Sequence, residues 1–121
     1  MKMKTVAVIG ASSQRHKFGN RAVRGFQRQG YEVVPINPHE TQIEGLEAFS
    51  SVLDVPVGID MATLYLPPHE GLGVLDEIAE KKIPELWINP GAESAEVIRR
   101  ARELGLEPII ACSLLAIGEM P

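Results

Sequence analysis

The chain has 121 residues, 45% hydrophobic and 23% charged, with a net charge of −4; this is the size and balance of one globular domain, residues 1–121, able to bury a core. The acidic balance argues against nucleic acid as a partner, and no stretch approaches the ~18 apolar residues of a membrane span. A single cysteine excludes an internal disulfide framework and fits a reducing, cytoplasmic setting.

Met1-Lys2-Met3-Lys4 has the charge of a secretory n-region. The apolar run behind it ends about five residues on, at Gly10, too short for the apolar region of a signal peptide. That run, Thr5-Val6-Ala7-Val8-Ile9, is β-branched and uncharged, the pattern of a strand buried on both faces. Gly10-Ala11-Ser12-Ser13 follows it. Gly10 permits a tight turn and close approach of a ligand, and Ser12 and Ser13 can cap a helix or donate to a phosphate oxygen. An ordinary strand-to-helix turn is the alternative. Arg15 to Lys17 is a basic loop, and a helix is expected from Phe18 to Gln29 with Ala22, Val23 and Phe26 inward. Arg21, Arg24 and Arg28 share another face, read as solvent-exposed. Residues 1–40 carry seven Lys or Arg and two acids, whereas 41–121 carry five and fourteen. Five of the first seven lie between Arg15 and Arg28, beside the glycine turn. Gly30 suits the C-cap.

Tyr31 to Pro38 reads as the second strand. A dinucleotide fold would end it with an acid about 20 residues beyond the glycine turn; Glu32 stands at the wrong end, and the tip carries Asn37 and His39. Ser12 also replaces the second glycine of the Gly-x-Gly-x-x-Gly fingerprint, so an NAD reading fails on two features. Glu40 to Pro56 is a polar excursion with a short edge strand at Ile43–Leu46 and a helical turn at Ser50–Leu53. Asp60 to Leu66 is the next core strand, stopped by Pro67-Pro68, and a helix runs to about Lys82 with Leu72, Leu75, Ile78 and Ala79 at helical spacing. Leu86 to Asn89 is a strand ending in Pro90-Gly91. Ser94 caps a helix carrying Val97, Ile98, Ala101 and Leu104, closed by Gly105. Pro108 to Cys112 is the last strand, and the tail to Pro121 is irregular.

Strands alternating with helices predict an α/β fold: a doubly wound, five-stranded, mainly parallel sheet, Rossmann-like, of order 3-2-1-4-5, in three α/β/α layers. Its ligand rim holds five strand tips, at Gly10, Asn37, Leu66, Asn89 and Cys112. Prolines at three tips remove N–H donors and build an apolar wall. His16, His39 and His69 lie on separate loops without ligand spacing, so no metal site is expected. Cys112 reads as a buried core thiol and Trp87 as core. The acids from Asp76 to Glu80 read as a solvated helix face. No nucleophile–base pair emerges, so catalysis is not supported.

The order Val-Ile-Gly-Ala-Ser, Gly-Tyr-x-Val-x-Pro-Ile-Asn-Pro, Ile-x-Gly, Leu-x-Pro-Pro and Trp-Ile-x-Pro-Gly-Ala-Glu-Ser resembles the coenzyme A-binding domain family, from Val6 to about Cys112. Its members are small stand-alone proteins similar to the N-terminal domain of the succinyl-CoA synthetase α subunit. The resemblance implies that Gly10, Ala11, Ser12 and Ser13 meet the phosphates of the coenzyme, with Arg15 and Lys17 supplying positive charge. Asn37 and Pro38 would flank the adenosine, Leu66, Pro67 and Pro68 would line the same groove, and Asn89, Pro90 and Gly91 would approach the pantetheine. Where the family often reads Asp-Arg-Cys-Pro, this chain has Ile110-Ala111-Cys112-Ser113. The phosphohistidine of the synthetases belongs to a second domain and has no counterpart up to Pro121. The expectation is a non-catalytic nucleotide-binding module for coenzyme A or an acyl-CoA at the C-terminal rim of the sheet. The alternatives are an NAD(P)-dependent oxidoreductase-type domain and a ligand-free protein-interaction module; no protein partner is readable.

Overall fold

The computed structural model describes residues 3–121; Met1 and Lys2, which open the segment weighed above as a leader, lie outside the described residues. Five parallel strands form the sheet: β1 (Thr5–Ile9), β2 (Glu32–Ile36), β5 (Met61–Leu64), β6 (Glu85–Ile88) and β7 (Pro108–Ile110). A two-residue antiparallel ribbon, β3 (Gln42–Ile43) and β4 (Leu46–Glu47), forms a separate hairpin. Among the described residues, four α-helices and one 3-10 turn (Val52–Asp54) complete the fold: α1 (Phe18–Arg28), α2 (Pro68–Glu80), α3 (Ala95–Glu103) and α4 (Ser113–Ala116).

Alternation along β1 assigns the two faces, because successive side chains point to opposite sides of a strand. Val6 and Val8 pack with Ala22, Val23 and Phe26 of α1 and Leu114 of α4. Ala7 and Ile9 pack with Leu75 and Ile78 of α2 and Val97 and Ala101 of α3. Both faces being covered, β1 is buried throughout, as its apolar run requires. The three-layer, doubly wound α/β fold is therefore as expected.

The strand order differs. Counting the five strands in chain order, the sheet runs 2-1-3-4-5, not 3-2-1-4-5, because β5 pairs with β1 over Val6–Ile9 and Met61–Leu64. Among the described residues, the place outside β2 is held by Phe49 alone, bridged in parallel to Ile36, donating to Pro35 O at 3.0 Å and accepting from Asn37 N at 2.9 Å. Pro35, whose carbonyl faces that edge and which has no N–H to donate, fits β2 to the border of the sheet rather than to a place between two strands. A second correction concerns the tail, where α4 occupies Ser113–Ala116 and Glu119 is clamped by Arg28 (2.6 Å) of α1 and by Gln29 (2.7 Å), its C-cap residue. The signal lay in tertiary partners for the tail rather than in its own periodicity.

All five strands being parallel, their C-terminal ends lie on one rim. The winding reverses between β1 and β5, and this switch point is where ligands bind in such sheets.

Candidate functional site

Gly10 adopts φ +97 and donates its N–H to Ile36 O at 3.2 Å. A side chain there would meet the Tyr65 carbonyl carbon at 3.1 Å and the Leu66 backbone N at 3.3 Å. On the side where a side chain would project, the close approach that Gly10 permits is that of the β5 tip. The partner of Gly10 is Gly19, which no motif in the sequence announces. A Cβ on Gly19 would overlap the Gly10 carbonyl oxygen and come within 2.9 Å of its carbon, so α1 sits directly on the turn. This is the helix–strand contact that a third glycine supplies in dinucleotide folds.

The helix does not start at the serines. Residues 11–17 intervene, and Lys17 is the N-cap residue of α1, without a side-chain cap. Ser12 instead accepts from Gln14 N at 3.0 Å through its hydroxyl, a local turn. Its carbonyl accepts from Asn20 Nδ2 at 2.8 Å. Asn20, 0% exposed on the inward face of α1, also donates to Glu44 Oε2 at 3.0 Å and accepts from Arg24 Nε at 2.7 Å. Arg24 Nη2 reaches Arg15 O at 2.9 Å. Arg24 is therefore a half-buried brace of the loop, not the solvated charge expected from helical spacing. A polar residue among Ala22, Val23 and Phe26 was the one available signal for Asn20.

Two carboxylates reach the basic loop. Glu40 Oε2 accepts from Ser13 N at 3.0 Å and from Asn37 Nδ2 at 3.3 Å. The Ser13 hydroxyl and N–H, helped by the charge of Lys17, hold Glu40 below the ordinary carboxylate range against a smaller cost of burial. Glu44, at φ 50 in the turn of the β3–β4 ribbon, lies 3.4 Å from Arg15. Its carboxyl is lowered chiefly by the Asn20 hydrogen bond, then by the Arg15 and Arg24 charges. Asn37 joins the β2 tip to the loop, donating to Ala11 O at 2.9 Å and accepting from His39 N at 2.7 Å.

On the other side of Gly10 lies an apolar pocket of about 240 Å³, lined by Phe18, Tyr65, Pro90, Cys112, Leu114, Leu115 and Pro121. Cys112 is half-exposed on its wall, not a buried core thiol, because β7 ends at Ile110 and the chain turns into α4. Asn89 also lines the pocket, but it is only 1% exposed and its amide is committed to the fold. Nδ2 donates to Thr63 Oγ1 (2.7 Å) and Leu64 O (2.9 Å), and Oδ1 accepts from Ser113 N (2.9 Å) and Ser113 Oγ (3.0 Å). This network pins α4 to the sheet. Tyr65 OH lies 3.2 Å from Ser113 Oγ, and burial pushes its pKa up.

Of the sequence-named residues, Gly10, Ala11, Ser12, Ser13, Asn37 and Pro38 cluster at the β1 and β2 tips, with Arg15 and Lys17 on the loop between β1 and α1. Leu66, Pro67 and Pro68 follow β5, where Pro67 caps α2 and Pro68 is its first residue. Asn89, Pro90 and Gly91 follow β6. Ala11 and Ser12 are buried, so within the loop Ser13, Arg15 and Lys17 face solvent. The rim thus has a charged half at β1 and β2 and an apolar half at β5, β6 and β7.

Among the described residues, no group of three or more His, Cys, Asp or Glu could hold a metal, and no helix is long and apolar enough to cross a membrane.

A family profile described as the CoA binding domain matches residues 4–118. The ADP-forming acetate–CoA ligase II of Archaeoglobus fulgidus is 34% identical over 109 residues, covering 84% of this chain but 16% of the ligase. A conserved hypothetical protein from Pyrococcus furiosus superposes with a TM-score of 0.85 at 34% identity, covering 95% of this chain and 99% of that one. The dinucleotide-forming acetyl-coenzyme A synthetase 1 of Ca. Korarchaeum cryptofilum superposes with a TM-score of 0.77 at 28% identity, covering 88% of this chain and 25% of the synthetase. The chain therefore corresponds to a small part of the ligases it matches.

Proposed function

Because the chain belongs to the CoA-binding domain family, we propose that it binds coenzyme A or an acyl-CoA as a non-catalytic, cytoplasmic single-domain module, at the C-terminal rim of the sheet. The observation that carries this reading is the Ser13 N–H on the basic loop, which already holds an anionic oxygen, that of Glu40. A carboxylate there stands in for a phosphate oxygen: the donor points outward, the loop is exposed, and Arg15 and Lys17 flank it. Gly10, Ala11, Ser12 and Ser13 form the phosphate turn, Asn37 and Pro38 flank the adenosine, Leu66, Pro67 and Pro68 line the same groove, and Asn89, Pro90 and Gly91 border the path of the pantetheine arm. Asn89 acts there through position alone, since its amide is already engaged.

Glu40 also favours a second reading. A carboxylate just beyond β2 and beside the glycine turn suits ribose hydroxyls, the role an acid plays in NAD-binding folds. Calorimetric titration with coenzyme A, dephospho-CoA and NAD separates the two. Coenzyme A should bind more than tenfold tighter than dephospho-CoA, about 1.4 kcal/mol, with the gap shrinking as salt rises. NAD binding tightest, or none of the three binding, would overturn the proposal.

A further inference from the structure

We propose that the apolar pocket between α1 and α4 takes the acyl chain of the ligand, so that this chain selects acyl-CoA thioesters over free coenzyme A. The inference rests on the nucleotide reading above and adds the chemical class of its cargo.

The lining decides the occupant. Phe18, Pro90, Leu114 and Leu115 present hydrocarbon, and Cys112 is a weak hydrogen-bonding group. Of the two polar side chains that border the pocket, Asn89 makes four hydrogen bonds within the fold, and Tyr65 OH, paired with Ser113, has a single hydrogen-bonding site left. A pantetheine arm carries two amides, two N–H and two C=O groups, which would lose water there for at most one partner, an unfavourable exchange. An aliphatic chain needs no partner. The position agrees as well: Tyr65 abuts the Gly10 turn, and Phe18 follows Lys17 directly, so the pocket opens beside the basic loop. A ligand anchored by its phosphates at Ser13 and Lys17 would run from the charged half of the rim to the apolar half. The lips are Phe18, 55% exposed, and Leu115, 58% exposed, large apolar groups that a bound chain would cover.

The test is a titration of the full chain with coenzyme A and its acetyl, butanoyl, hexanoyl and octanoyl thioesters. Affinity should rise two- to fourfold per methylene until the pocket is full; fourfold corresponds to ~0.8 kcal/mol for a buried methylene. Leu115→Asp and Phe18→Ser, both at exposed lips, should each flatten the series while leaving the affinity for free coenzyme A within twofold. A flat series in the unaltered protein, on top of measurable coenzyme A binding, overturns this inference alone. Absence of any coenzyme A binding overturns it together with the nucleotide reading. A rising series that neither lip variant changes places the acyl chain elsewhere. Self-association abolished by Leu115→Asp, with a flat series, makes the face an interface between copies instead.

Discussion

Replacing Glu40 by glutamine probes the loop most directly, because shape is kept while the charge is removed. The carboxylate accepts from Ser13 N at 3.0 Å and Asn37 Nδ2 at 3.3 Å, and Lys17 lies near enough to lower its pKa. A phosphate taking the Ser13 N–H must displace it and face its like charge. Hydrogen bonds to charged groups contribute about 1.5–3 kcal/mol; Glu40 is half-exposed, so solvent screening puts its share near the lower end. Glu40→Gln should therefore tighten coenzyme A binding by about 1–1.5 kcal/mol, roughly tenfold, measured by calorimetry at pH 7. Protonation should mimic the substitution. With its pKa lowered in the fold, the stability Glu40 contributes is present above the unfolded value of 4.5 and lost as pH falls through the folded value. The melting temperature of the variant should accordingly fall less than that of the parent below pH 4.5. Weaker binding by Glu40→Gln would refute the stand-in argument and make the carboxylate a direct ligand group, as on a ribose.

Gly19→Ala should destabilise the fold by about 1–3 kcal/mol, the usual cost of overpacking, seen as a lower melting temperature, since its Cβ would overlap the Gly10 carbonyl oxygen. An unchanged melt would mean that α1 can shift away from the turn freely. Among the arginines, the effects should rank by contact rather than by distance from the glycine. Arg24→Ala leaves the buried Asn20 Oδ1 without its donor and should cost ~1–3 kcal/mol of stability, whereas Arg28→Ala loses only a pair at the surface with Glu119 and should lower the melting temperature much less. Arg15→Ala with Lys17→Ala should leave stability nearly unchanged but weaken coenzyme A binding by roughly 1–3 kcal/mol; equal affinity would remove these charges from the site.

The sequence by itself determined the layers and the rim. The uncharged Thr5–Ile9 run, the inward Ala22, Val23 and Phe26, the Ser94 cap (accepting from Val97 N at 3.1 Å) and the Pro67-Pro68 helix start are local features, and each appears within a residue or two of its expected place. Periodicity and capping act over one or two turns, so they survive without tertiary context. What the neighbours decided was pairing and charge. β5 lies beside β1 rather than beyond β2, a pairing that the residues of β5 by themselves do not announce. Arg24 looked solvated by spacing and proved a brace, since Asn20 and the Arg15 carbonyl come from other turns of the chain. Glu40 and Glu44 were unremarked acids in a polar loop until folding carried them onto Ser13 and Arg15, and Cys112 became a pocket wall only when α4 packed on α1. Hydrogen bonds and ion pairs depend on separations of about 3 Å, and only the folded chain sets distances between residues far apart in sequence.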